Sequence, residues 1–97
     1  MMRYVTLYQF TDQGIRSVKD SPGRLRAAIT KAESMGLKIV GSYYTEGSYD
    51  LVVITEAPDE KAATAFALMT AAQGNVRSTT MRAHNLDEFE AIVKMMA

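Results

Sequence analysis

A chain of 97 residues makes one small domain, 1–97, with a thin core, and its 47% hydrophobic and 23% charged content exclude a disordered tail. Eleven Lys plus Arg balance eleven Asp plus Glu, so no counterion-release term drives binding to a phosphate backbone, and nucleic acid is not an expected partner. The absence of cysteine excludes disulfides, iron–sulfur clusters and thiol nucleophiles.

No apolar run approaches the roughly 20 residues of a membrane span, and MMRYVTLYQF has no apolar signal core, so the expected location is the cytoplasm, away from membranes. Arg3 to Phe10, rich in aromatic and β-branched residues, predicts a first strand. The connection over 11–21 is long for a compact domain. It holds Ile15 and Val18 three apart, which predicts a short helical turn packed on the body. Ser21 and Pro22 predict a helix start, with the hydroxyl as cap and the fixed φ of proline at the first position. Leu25, Ala28, Ile29, Ala32 and Met35 recur at helical spacing, and Gly36 supplies a left-handed terminator, giving one helix over 22–35.

Leu37 to Thr45 and Tyr49 to Thr55 predict two strands joined through Glu46-Gly47-Ser48 as a hairpin. Pro58 and Asp59 open a second, alanine-rich helix that Gly74 ends, and Asn75 to Ala83 predicts a fourth strand. Asn85 and Glu88 form a capping box ahead of a last helix, whose apolar stripe is Leu86, Phe89, Ile92, Val93 and Met96.

The order is βαββαβα. Right-handed crossovers interleave two such units into the ferredoxin-like α+β fold: a four-stranded antiparallel sheet, strands one and three central, helices on one face, with an extra C-terminal helix. YVTLYQF and YDLVVIT are the most apolar strands, as central strands should be. LVVI is apolar on both alternating faces, whereas the helices cover only one. The economical cover for the other is the same sheet of a second subunit, which predicts a homodimer, or a higher homo-oligomer, built through the sheet face.

FTDQGIRSVKDSPGRL (10–25), GSYD at 47–50 with its following aliphatics, EAPDEKAATAFAL (56–68) and GNVRSTTMRA (74–83) agree in order with one family, and the chain resembles the GYD domain family of small bacterial and archaeal proteins. The resemblance implies the dimeric α/β barrel group of ferredoxin-like folds. It carries the named motif onto Gly47, Tyr49 and Asp50 and brings no catalytic residues with it.

Each candidate site residue has a plain role beside a sharper one. Asp50 is a turn-side acceptor at the mouth of the hairpin, or a desolvated carboxylate with a raised pKa that anchors a ligand or moves a proton. Tyr8, Tyr44 and Tyr49, with Tyr4 and Tyr43, fill volume on predicted strands or line a cavity with rings and hydroxyls. Arg77, with Arg82, guards an edge strand or clamps a carboxylate. His84, the single histidine, cannot alone make a zinc site and stands as a surface residue or a general base, so neither metal nor cofactor is expected.

An RNA recognition module shares the strand order, and EGSYDLVVI echoes one of its motifs. No basic residue precedes Gly47, Asp50 repels phosphate, and Val53 and Ile54 replace the aromatic that module needs. The expectation is therefore a small-molecule binding or sensing homodimer. The alternatives are a cofactor-free isomerase or monooxygenase using Asp50 or His84, and a purely structural subunit.

Overall fold

The computed structural model describes residues 1–96. Its elements are β1 (Met2–Phe10), α1 (Asp12–Arg16), a 3₁₀ turn at Val18–Asp20, α2 (Ser21–Ser34), β2 (Lys38–Tyr44), β3 (Leu51–Ala57), α3 (Glu60–Ala72), β4 (Val76–Ala83) and α4 (Leu86–Lys94). The strands pair antiparallel in the order β2-β3-β1-β4. This is the ferredoxin-like α+β fold, with the two most apolar strands at its centre.

Alternation along the central strands sets the layers. Tyr4, Thr6 and Tyr8 of β1 and Leu51, Val53, Thr55 and Ala57 of β3 are buried on the helix-covered face. Val5, Leu7, Val52 and Ile54 share the other face and are only half-buried. The main helix contacts are of α2 with β2 and of α3 with β3 and β4. The core divides into a cluster of Tyr4, Ala32, Leu37, Ala57 and Phe66 and a smaller one of Tyr8, Leu51 and Val53.

Local chemistry ends the helices as their sequences require. Gly36 at φ 82° lets the Leu37 amide return to the Ala32 carbonyl at 2.9 Å and the Gly36 amide to Glu33 at 3.1 Å. This double closure places Leu37 and Ala32 together in the core. Asp59 caps α3 by accepting the Ala62 amide at 2.8 Å. Both arms of the α4 capping box form: Asn85 Oδ1 accepts the Glu88 amide at 2.8 Å, and Glu88 Oε1 accepts the Asn85 amide at 2.9 Å.

The structure departs from the sequence expectations in four places. Ser21 is already helical at φ −56° and caps nothing; its Oγ lies 2.8 Å from the Tyr44 hydroxyl, tying α2 to β2 instead. β3 begins at Leu51, so Tyr49 and Asp50 belong to the turn. Ile15 and Val18 are exposed, and the buried contact of their segment is Gly14. Finally, the α4 stripe of Leu86, Phe89, Ile92, Val93 and Met96 is exposed throughout. The radius of gyration is 14.7 Å, against about 12.5 Å for a compact chain of this length.

Candidate functional site

Because α2 lies over β2 and α3 over β3 and β4, the end of the sheet near Tyr8 is left between them. A cleft of about 70 Å³, open on one side, occupies that space. Tyr8, Leu51 and Val53 form its floor, Arg24, Leu25 and Ala28 one wall, Phe66 and Thr70 the other, and Gln73 and Asn75 its far end. The lining is mainly apolar with a few polar groups converging on it, the usual make-up of a small-molecule site.

Tyr8 is the floor residue with most chemistry. Burial raises its phenol above the ordinary 10.0, and the nearby Thr70 hydroxyl partly opposes the rise. The phenol is therefore neutral at physiological pH and serves as a hydrogen-bond donor or acceptor. On the α2 wall, Arg24 Nη1 donates to the Ser17 carbonyl and reaches Ser17 Oγ, each at 3.2 Å. Its Nη2 is buried without a hydrogen-bond partner.

Asp50 is tied to the backbone through one carboxylate oxygen and through its own amide and carbonyl. Its Oδ2 accepts the Phe10 amide at 2.8 Å, its own amide donates to the Tyr8 carbonyl at 2.8 Å, and its carbonyl accepts the Thr45 amide at 2.9 Å. The carboxylate thus locks the end of β1 to the start of β3 and does not line the cleft. Gly47 turns at φ 126°, a conformation few other residues adopt, which explains the glycine of the hairpin.

Of the six sequence candidates, only Tyr8 lines the cleft. Tyr44 touches it indirectly, through the Ser21 hydroxyl. Tyr49 sits in the turn, its carbonyl accepting Thr45 Oγ1 at 2.6 Å. Arg77, opposite Gln9, is exposed on the face away from the helices. His84 follows the far end of β4, beside Arg3 rather than Tyr8. At about 3.3 Å per residue along β1, His84 and Asp50 are on the order of 20 Å apart. Sequence reasoning missed Arg24 and Thr70. The available signal was Arg24 standing four residues before Ala28, on the same flank of the apolar stripe as Leu25.

Among the described residues no helix is long and apolar enough to cross a membrane, and no group of His, Asp and Glu is placed to hold a metal ion. The GYD domain model matches residues 4–93, and the chain belongs to that family. The "Glutamine synthetase and cystathionine beta-lyase binding protein" of Thermus thermophilus is 29% identical over 84 residues, which span 86% of this chain and 88% of the relative. Among solved structures, FFRP-DM1 is similar at TM-score 0.57 and 21% identity, covering 87% of this chain and all of that one. A protein from Thermus thermophilus gives 0.56 at 17% identity, covering 88% and 95%. MtbAldR gives 0.61 at 14% identity, covering 87% of this chain and 53% of its own. At such identities these structures speak to the fold alone.

Proposed function

We propose that this member of the GYD domain family is a homodimeric module that binds a small organic molecule in the cleft between the sheet and α2 and α3. The observation that carries the reading is the half-open apolar cleft, with a buried phenol on its floor and a guanidinium on its wall. The second subunit covers the face bearing Val5, Leu7, Val52 and Ile54, whose side chains are only half-buried. Burying such a face is favourable at about 25 cal/mol per Å² of apolar surface.

A cofactor-free enzyme has less support. Asp50 is held by the backbone and His84 stands at the other end of the sheet, so neither has the partner a general base needs within hydrogen-bond reach. Native mass spectrometry of protein purified gently from its own host tests the proposal. A dimer with additional small-molecule mass is expected; a bare monomer would count against both halves of it.

A second reading is favoured by the relative's name and by α4. If this chain, like that relative, docks on an enzyme, the exposed stripe of Leu86, Phe89 and Ile92 supplies the apolar contact. Co-elution with purified glutamine synthetase, lost in a Phe89→Ser variant, is the outcome that reading requires.

A further inference from the structure

The polar groups around the cleft are largely engaged within the chain. Arg24 Nη1 donates to the Ser17 carbonyl and reaches Ser17 Oγ, and Nη2 exposes less than 1 Å² of surface, so no molecule in the cleft meets it. Ser21 Oγ is paired with the Tyr44 hydroxyl at 2.8 Å, and Thr70 Oγ1 donates to the Ala67 carbonyl at 2.9 Å. At the far end, the Asn75 carbonyl accepts the Thr11 amide, while Asn75 Oδ1 and the Gln73 carbonyl both accept from Gln13 Nε2. The Tyr8 phenol, kept protonated by its burial, adds a polar group without a charge. What the lining chiefly offers is carbon, from Leu25, Ile39, Leu51, Val53, Phe66 and Val76.

This lining discriminates by charge. An anion would give up its water here without gaining a donor from Arg24, and a cation would find no Asp or Glu among the lining residues. Moving an ion into such surroundings without a partner is strongly unfavourable. A neutral molecule has no such cost, and its apolar surface leaves water together with that of the lining. The cleft's 70 Å³, at about 10–15 Å³ for each water-sized group, holds about five to seven heavy atoms, the size of one six-membered ring.

We infer that the cleft takes a small neutral molecule of about one ring's size, held by apolar contact with Leu25, Leu51, Val53 and Phe66 and not by an ion pair. This rests on the reading of the cleft as a ligand site. It adds the ligand's charge and size, and it leaves Arg24 as a brace between α2 and Ser17.

The test titrates the full chain, followed by amide chemical shifts, with three compounds of nearly equal size: benzyl alcohol, benzoate and benzylamine, the last a cation at neutral pH. Benzyl alcohol is expected to shift the amides of Leu25, Leu51, Val53 and Val76 and to saturate. The two ions should bind at least about tenfold more weakly. Either ion binding as tightly as the alcohol would overturn the selection for a neutral molecule while leaving a ligand site. No response at the cleft to any of the three would overturn the selection and the ligand site together. Ala28→Leu narrows the cleft and is expected to weaken the alcohol's binding; unchanged binding would place the compound elsewhere and overturn the inference. The comparison of alcohol with ions is made on the unaltered chain, so it decides the matter even if the Leu variant does not fold.

Discussion

Gly14 lies so close to Asn75 that a methyl group on its Cα would overlap the Asn75 carbonyl oxygen. That oxygen also accepts the Thr11 amide at 3.1 Å, while Thr11 Oγ1 donates to the Gly74 carbonyl at 2.6 Å. Gln13 Nε2 reaches the Gln73 carbonyl and Asn75 Oδ1, each at 3.0 Å. The segment after β1 is thus clasped to the turn after α3, and residues 73 and 75 of that turn close the far end of the cleft.

Gly14→Ala is expected to destabilise the chain by about 2 kcal/mol or more, because a backbone atom has to move and the Thr11 bond moves with it. Inside an ordinary helix the same change stabilises by about 1 kcal/mol. Urea denaturation reads the difference. An unchanged or raised midpoint would mean the clasp is not as tight as the geometry requires.

Asp50→Ala is expected to cost about 1–3 kcal/mol through the Phe10 amide left without its charged acceptor. Asp50→Asn keeps a neutral oxygen acceptor in place and should lose less than half as much. Equal losses in the two variants, measured by the same denaturation, would remove the carboxylate from its role as the lock on the hairpin mouth.

Val52→Lys places a charge in the centre of the sheet face opposite the helices. Sedimentation of the native chain is expected to give twice its 10.7 kDa mass, and the variant is expected to sediment as a folded monomer, since an unpaired ammonium in an apolar interface is strongly disfavoured. A dimeric Val52→Lys protein would place the subunit contact elsewhere.

Glu88 predicts a pH dependence confined to α4. The hydrogen bond from the Asn85 amide holds its carboxyl below the ordinary 4.5, opposed by desolvation and helped by the lesser pull of the Arg82, His84 and Arg3 charges. A carboxylate with a lowered folded pKa contributes stability that is whole above its unfolded value and is lost as pH falls through the folded one. The protection factors of the α4 amides, with the intrinsic pH dependence of exchange divided out, are therefore expected to be steady above pH 4.5 and to fall below it, while those of the sheet amides hold. In Glu88→Gln that step should vanish; if it persists, another group is responsible.

Much of the fold was legible because its signals are local. Gly36 and Gly74, both at positive φ, end α2 and α3 as their positions indicated, and Asp59 and Asn85 cap as their spacing to the following amides required. The two-sided apolarity of LVVI placed β3 in the centre of the sheet. The site was far less legible. Asp50 looked chemically conspicuous beside a buried strand, yet its carboxylate is taken up by an amide 40 positions earlier in the chain. Ser21 looked like a cap and bonds Tyr44 instead.

The sequence by itself determined the elements, their order and the central strands, since hydrophobic period, turn glycines and caps act over a few residues and are written side by side. Only the tertiary structure decided that α2 and α3 cover different strands and leave a cleft, that Tyr8 lies on its floor, and that Arg24 borders it with one nitrogen unpartnered. It also decided that the α4 stripe finds no cover within its own chain. The physical reason is that a cleft is a relation among side chains far apart in sequence. No pattern along the chain records which neighbour a group will lack.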